Sequence, residues 1–208
     1  SPSRNGVVEL TDVLRQRRMV RHYDGRPVDP DVIERIVAAG LRAPSAGYTQ
    51  GYAVLLLTDA ADREQFWEVT KTDQQSASWS AETRAGVMRA PVLAVTLSCK
   101  QAYLDRYARE DKGWTDRDEA RWPIPFWHVD TGMVALLMLL KAVDEGIGAL
   151  FIGMAPSAVP AFRTAFGVPD DHDVVGVVCL GHEDPNAPRR DLRSRQLPVE
   201  QVVHRGRW

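Results

Sequence analysis

Apolar runs of strand length alternate with helical patterns along the chain, and this alternation limits the possible folds more than any other feature of the sequence. The runs lie at 52–58, 91–98, 149–153 and 174–181. Each is apolar at consecutive positions, which is typical of strands covered on both faces. The sequence therefore predicts a mixed α/β domain in which helices cover both faces of one sheet.

Helix-boundary signals between these runs agree with that architecture. Leu10 opens a first helix that ends near the basic cluster at 15–21, and Asp29 with Pro30 supplies an N-cap and a first-turn proline for a second. The remaining main helices are expected at 59–69, 126–145 and 157–166. The helix at 126–145 is apolar on nearly all sides, so we expect several neighbours to bury it.

The charge balance gives no reason to expect a large anionic partner. The chain of 208 residues carries 26 Lys and Arg against 28 Asp and Glu, so neither nucleic acid nor a membrane surface is expected to bind it. Nothing at the N-terminus resembles a signal peptide, and the most apolar stretch, 133–143, is short for a bilayer span. We expect a soluble, cytoplasmic protein with one domain covering 1–208.

Motifs for nucleophilic, metal or dinucleotide chemistry are missing from the sequence. The glycines between 146 and 153 fail the G-x-G-x-x-G spacing, because Phe151 stands where the third glycine should be. The five histidines are far apart and show no metal-ligand spacing. Cys99 and Cys179 fall inside apolar runs, where small core residues are expected.

Two groups of arginines offer anion-binding chemistry. Arg17, Arg18 and Arg21 lie at a helix end and the turn after it, while Arg193 and Arg195 alternate in a segment expected to be extended. A guanidinium donates two parallel hydrogen bonds to a phosphate, so groups at both chain ends suit a phosphate buried between segments. A solvent-exposed basic surface explains each cluster almost as well. From the residues alone, a phosphate site and a basic surface both remain possible interpretations.

The turn at 43–50, with sequence APSAGYTQ, follows the second helix and precedes the first strand. Pro44 and Gly47 break regular structure, and Ser45, Thr49 and Gln50 supply short polar groups. Such a loop suits a planar polar ligand, and it equally suits an ordinary surface turn.

In their order along the chain these pieces resemble the FMN-dependent nitroreductase family. The matching segments are RRMVRHYDGRPVD, LRAPSAGYTQGYAVLLLTD, VDTGMVALLMLLKAVDEGIGALFIG and LRSRQLPVEQVVHRGRW, which together extend from about Leu10 to Trp208. The resemblance implies an α+β, nitroreductase-like fold with a central mixed sheet flanked by helices. It also implies an intertwined homodimer in which 183–208 forms an extended arm around the partner subunit.

The resemblance further implies a set of FMN-binding residues. The arginines match phosphate-binding positions, the loop at 44–50 would line the isoalloxazine from the other subunit, and 151–154 would pack behind the ring. The full set is Arg17, Arg18, Met19, Arg21, Pro44, Ser45, Ala46, Tyr48, Gln50, Phe151, Ile152, Gly153, Met154, Arg193 and Arg195.

The chain departs from the family pattern at three places. Tyr48 stands where asparagine is common, Gly51 and Tyr52 replace a proline-tryptophan pair, and 80–83 contains no asparagine where many members have an amide. The first and third changes remove polar side chains that would contact the flavin.

The charged segment at 100–127 is the candidate substrate cover. Its aromatic residues could stack on a flat acceptor held against the flavin, or could only pack the segment onto the protein. They are Tyr103, Tyr107, Trp114, Trp122, Phe126 and Trp127.

The resemblance implies an enzyme that uses NADH or NADPH to reduce a nitroaromatic, a quinone or a related flat acceptor by ping-pong hydride transfer. The flavin would do the chemistry at its N5, so no catalytic side chain is expected. Two alternatives remain: a deazaflavin- or oxygen-using branch of the same fold, and a flavin-binding or sequestering protein without activity.

Overall fold

Four strands form the central sheet in the order β1-β2-β4-β3. The computed structural model describes residues 9–72, 79–188 and 192–208, without the side chain of Arg193. Within these ranges the strands are β1 Tyr52–Leu57, β2 Val92–Ser98, β3 Gly148–Ile152 and β4 Asp173–Gly181. All four lie where the apolar runs predict them.

The helices surround this sheet. They are α1 Leu10–Gln16, α2 Pro30–Gly40, α3 Ala60–Val69, α4 Ala81–Met88, α5 Lys100–Tyr107, α6 Phe126–Asp144, α7 Val159–Phe166 and α8 Val199–Val202. The expected N-cap of α2 is confirmed, since the Asp29 carboxylate accepts a hydrogen bond from the amide of Asp31 at 2.9 Å. Helix α4 is not predicted from the sequence; Ser80 caps it by accepting from the Thr83 amide at 3.1 Å.

The strands described here pair antiparallel throughout, which corrects the expectation of a mixed sheet for this part of the chain. Strand-helix alternation suggests parallel crossovers, in which a single helix returns the chain to its starting edge. Among the described residues two helices, α3 and α4, lie between β1 and β2, and β2 runs antiparallel to β1.

Apolar side chains pack on both faces of the sheet, as the sequence predicts. Successive residues of β2 alternate between the two cores: Ala94 faces the core formed with α2 and α6, and Leu93 and Val95 face the core that includes Phe66 of α3 and Phe162 of α7. Every residue of β2 is buried, because a central strand is covered by helices on each side.

Helix α6 is the longest helix and packs against α2 and the sheet. It is also the one helix of the described residues that is long and apolar enough, by length and composition alone, to cross a membrane. Met138 and Val134 are fully buried beneath Gly40 of α2, so a large part of its apolar surface belongs to the core of the protein.

Candidate functional site

A cleft of about 810 Å³ contains the N-terminal arginines predicted from the sequence. Arg17, Arg18, Met19 and Arg21 line it, and its volume lies within the range of about 300–1,000 Å³ that is usual for small-molecule sites. A second cleft of about 590 Å³, between α3 and α4, contains none of the predicted site residues.

The segment that carries these arginines is held against the edge of the sheet. Helix α1 ends at Gln16, and the chain then runs beside β3, where the Val20 amide donates to the carbonyl oxygen of Ala149 at 2.9 Å. Tyr23 anchors the end of the segment, since its ring is fully buried and its hydroxyl donates to the Cys179 carbonyl at 3.0 Å. Burial raises the pKa of Tyr23 well above its ordinary value, so the hydroxyl remains a donor.

Helix α4 approaches the same segment closely, at a glycine. A Cβ on Gly86 would lie 2.6 Å from both the carbonyl oxygen of Arg21 and Nδ1 of His22. The Gly86 carbonyl in turn accepts from the Tyr23 amide at 3.2 Å. Only a residue without a side chain allows this contact, which brings the first turn of α4 to the cleft.

The cleft is lined by more positive than negative side chains. Four arginines (Arg15 and the three predicted ones) face Glu82 and Glu183. Arg18 forms an ion pair with Glu183, whereas Arg17 and Arg21 make no ion pair with any residue that the structure describes. Among the described residues, therefore, nothing neutralises the charge of these two guanidinium groups, which are suited to an anion.

Several cleft residues are missed by the sequence analysis. Ser80, Glu82 and Thr83 come from the start of α4, in the region where the family pattern places an amide, and Glu183 follows β4. The hydroxyls of Ser80 and Thr83 are polar groups at the place of that missing amide. Glu183 reaches the cleft because Tyr23 and Glu183 pair as an isolated β-bridge, a contact between distant parts of the chain that no local pattern reveals.

The 151–154 segment lies beside the arginine segment. The Phe151 amide donates to the sulfur of Met19 at 3.4 Å. Ile152 and Met154 pack toward the core on one face of the sheet, and Gly153 has open space where a side chain would be. Phe151 thus contacts a residue that lines the cleft, but none of the residues 151–154 lines the cleft itself.

The loop at 44–50 has an unusual backbone. Gly47, Tyr48 and Gln50 all have positive φ angles, of 61°, 51° and 54°, a conformation that costs about 1–3 kcal/mol for each residue other than glycine. The Tyr48 side chain is 76% exposed, and the amide of Gln50 donates to Ser45 Oγ at 2.9 Å. The loop is therefore a strained turn that presents Tyr48 to the outside.

This loop and the arginine cleft lie at opposite edges of the sheet in one chain. The loop leads into β1, at one edge, and Tyr52 pairs with Ser98, which pairs with Asp173 at the start of β4. The arginine segment runs beside β3, at the other edge, and Tyr23 contacts the end of β4. The nine residues of β4 extend over about 26 Å. None of Pro44, Ser45, Ala46, Tyr48 and Gln50 lines the cleft.

The aromatic residues of the candidate cover pack on one another beside the loop. Trp122 contacts Tyr103, Tyr107, Trp114 and Trp127 with ring centroids 4.6–6.0 Å apart. Phe126 joins the group at 6.1 Å from Trp122. Mutual packing accounts for much of their surface, and Tyr103 and Trp127 are buried.

The C-terminal arginines do not have the geometry expected of them. Residues Arg193–Arg195 form a single 3-10 turn, so the prediction of an extended segment is wrong. A 3-10 turn has three residues per turn, so its backbone is not extended. Arg195 is exposed and does not line the cleft, although its neighbours Leu192 and Gln196 do; the Arg193 side chain lies outside the described part of the chain.

Three potential metal ligands come together at the start of β4, although their sequence spacing gives no sign of it. Nδ1 of His172 lies 2.7 Å from the Asp171 carboxylate, and the Cys99 thiol lies 3.9 Å from it. The pairing of Ser98 with Asp173 brings these three residues close to one another.

The two cysteines differ in burial. Cys99 lies just beyond β2 and is partly exposed, which corrects its expected place in the core. Cys179 is buried as expected, and burial raises the pKa of its thiol to about 12.

A comparison with known families decides the class of the protein. The family model described as the nitroreductase family matches residues 14–182. The chain belongs to the nitroreductase family. Nitroreductases are flavin-dependent oxidoreductases, and the resemblance read from the four sequence motifs is confirmed.

Two curated relatives of this nitroreductase illustrate the range of the family. A Cr(VI) reductase from Pseudomonas sp. (strain G-1) is 30% identical over 96% of this chain and 75% of its own length. An NADPH-flavin oxidoreductase from Vibrio harveyi is 23% identical over 95% of this chain and 73% of its own length.

A solved structure confirms the fold of this nitroreductase. The crystal structure of a nitroreductase with bound FMN from Bacteroides fragilis NCTC 9343 superposes with a TM-score of 0.65 at 20% identity, and covers 95% of this chain and 99% of that one. The α+β nitroreductase fold expected from the sequence is thereby established.

Proposed function

We propose that this nitroreductase is an FMN-dependent NAD(P)H oxidoreductase that reduces a nitroaromatic, a quinone or a related flat acceptor by ping-pong hydride transfer. The observation that carries the proposal is the cleft of about 810 Å³ lined by Arg17, Arg18 and Arg21. The relatives named for NADPH-flavin and Cr(VI) reduction support a nicotinamide donor and a broad acceptor range.

The residues of the cleft fit FMN in charge and in shape. Arg17 and Arg21 offer guanidinium donors to a phosphate dianion, and the hydroxyls of Ser80 and Thr83 suit a polyhydroxyl chain. The open space at Gly153 leaves room beside β3 for a flat ring.

Bound FMN would supply the hydride chemistry at its N5. The protein's part is to bind and orient it. Arg18 would donate hydrogen bonds to the flavin ring, and such donors favour its anionic reduced form. The Glu183 carboxylate fixes the Arg18 guanidinium by its ion pair, so that these donors do not depend on a mobile side chain.

A homodimer completes the site in this proposal. In one chain the 44–50 loop and the arginine cleft are at opposite edges of the sheet, so only a second copy can bring a loop to a cleft. Exposed apolar side chains on α1 and α6, among them Leu14, Val129 and Leu136, offer a surface for that copy. The part of the 183–208 arm described at 192–208 is likewise rich in exposed apolar residues, including Leu197, Val199 and Trp208, which supports its packing on a partner.

The proposal is tested by comparing FMN with riboflavin, which lacks the phosphate. If the arginines hold a phosphate, FMN binds at least about tenfold more tightly, because each charge-assisted hydrogen bond contributes about 1.5–3 kcal/mol. An Arg17→Ala, Arg21→Ala double variant should lose this preference, and Arg26→Ala, which removes an exposed arginine paired with Asp24, should keep it. Equal affinity of the unchanged protein for FMN and riboflavin would contradict the phosphate site.

A further inference from the structure

A buried carboxylate accepts a hydrogen bond from the backbone of the strained 44–50 loop. Asp130, on α6, is 1% exposed. One of its oxygens, Oδ2, accepts from the backbone amide of Ala46 at 2.9 Å and from the hydroxyl of Tyr103 at 2.7 Å. Asp130 forms no ion pair with any residue in the described ranges, so these two donors are the groups that stabilise its buried oxygen.

Tyr103 is a dependable donor to this carboxylate. Its ring is fully buried and lies against Gly51, where a Cβ would come within 2.5 Å of the ring. Burial, and then the hydrogen bond to Asp130, raise the pKa of Tyr103 well above its ordinary value. The hydroxyl therefore keeps its proton and offsets the cost of burying the Asp130 carboxylate.

A second side chain, on α5, forms a hydrogen bond to the loop. Nε of Arg106 donates to the carbonyl oxygen of Gly47 at 2.9 Å. The same guanidinium makes two hydrogen bonds of 2.8 Å to the carboxylate of Asp111, which fixes its plane. The ring of Tyr107 lies 2.8 Å from the place of a Cβ on Gly47, so the loop cannot relax in that direction.

We propose that Asp130 and Arg106 are positioning residues that hold the 44–50 loop in its left-handed conformation, so that Tyr48 and its neighbours meet the flavin of the partner subunit. Left-handed backbone at Tyr48 and Gln50 persists only where surrounding contacts determine it. Asp130 fixes the start of the turn at Ala46, and Arg106 fixes its middle at Gly47. This inference rests on the proposed function, because it gives the loop a flavin to contact.

The first experiment compares two substitutions of Asp130. Asp130→Asn keeps one oxygen that can accept both hydrogen bonds, since both end on Oδ2, and FMN affinity should stay within about threefold of the parent value. Asp130→Leu keeps the volume without an acceptor. It should weaken FMN binding about tenfold or more and shift the visible spectrum of the bound flavin, because the loop relaxes away from the ring.

Tyr103→Phe separates positioning from stability. It removes one donor to Asp130 but leaves the Ala46 amide in place, so it should lower the melting temperature and leave FMN affinity and the flavin spectrum near those of the parent. If Tyr103→Phe and Asp130→Leu lose FMN affinity in proportion to their loss of stability, Asp130 has a structural role only and the inference is wrong.

A second pair, away from the core, keeps the inference testable if Asp130→Leu does not fold. Arg106→Met removes the hydrogen bond to Gly47 and should weaken FMN binding about threefold to tenfold. Asp111→Asn keeps an acceptor for the guanidinium and leaves the Gly47 hydrogen bond in place, so it should leave binding unchanged. Parent protein that binds FMN, with a folded Arg106→Met variant that binds it equally well, overturns the inference and leaves the proposed function standing. Parent protein that binds no FMN overturns both.

Discussion

Single backbone positions decide how close the parts of this protein approach one another. Gly86 lets α4 touch the arginine segment, and Gly47 lets the 44–50 loop lie under the ring of Tyr107. The two glycines differ in kind. Gly86 is required for space alone, whereas Gly47 is required for both space and a φ of +61°.

Gly47→Ala should destabilise the protein by about 1–3 kcal/mol, because the new Cβ meets the Tyr107 ring and the backbone is left-handed. Gly113→Ala is the matched control: Gly113 also has a positive φ, of +75°, but has no atom within 4 Å of the Cβ position. Gly113→Ala should lower the free energy of unfolding only by the cost of a left-handed backbone at alanine, about 1 kcal/mol. Urea unfolding measures both, and equal losses would show that the Tyr107 contact costs nothing.

At the scale of elements, the ion pairs of Glu145 join α2 to the end of α6. The Glu145 carboxylate accepts from Nε and Nη2 of Arg35 at 3.0 and 2.9 Å, and Lys141 lies 2.9 Å away. The Glu145 side chain is only 8% exposed. The hydrogen bonds from Arg35, helped by Lys141 and opposed by burial, lower the pKa of Glu145 from 4.5 to about 2.

Glu145→Gln should therefore reduce stability at pH 7 by about 2 kcal/mol. A carboxyl group whose pKa is lower in the folded state stabilises the fold above its unfolded pKa. The difference between parent and variant should be full above about pH 4.5, shrink as the pH falls, and vanish below about pH 2. Urea unfolding across this range measures it, with Glu34→Gln, an exposed change on α2, as the control. A difference that does not depend on pH would show that Glu145 does not act through its charge.

The elements were largely predictable from sequence, and their contacts were not. Strand and helix positions follow from local apolar periodicity and from caps such as Asp29, so the pattern is visible within a few residues of each element. The ion pair of Arg18 with Glu183 and the approach of Cys99 to His172 depend on sheet pairing between distant segments. The turn at Arg193–Arg195 looked extended because alternating arginines carry no signal that separates a strand from a short turn.

At the scale of the whole molecule, the predicted flavin site is divided between two distant corners. Arginines from one corner and the 44–50 loop from the other meet only if two copies associate. The FMN-binding positions implied by the resemblance thus remain a prediction about a dimer, and the arm at 183–208 belongs to the same prediction.

Leu136→Asp tests that dimer directly. Leu136 is 47% exposed on α6, so a charge there should spare the core of a single chain and disrupt an apolar contact between copies. We expect a monomer in analytical ultracentrifugation, with FMN binding lost. Met88→Asp, 44% exposed on α4 over the other face of the sheet, should leave both properties unchanged. A Leu136→Asp protein that is monomeric and binds FMN normally would contradict a site shared between subunits.

The most direct test of the proposed function is an anaerobic titration of the FMN-loaded protein, followed by its visible absorption. We predict that NADH or NADPH bleaches the bound flavin, and that a nitroaromatic or a quinone added afterwards restores the colour. A protein that holds FMN but stays oxidised with both nicotinamides would contradict the proposed reductase and indicate a protein that binds flavin without using it.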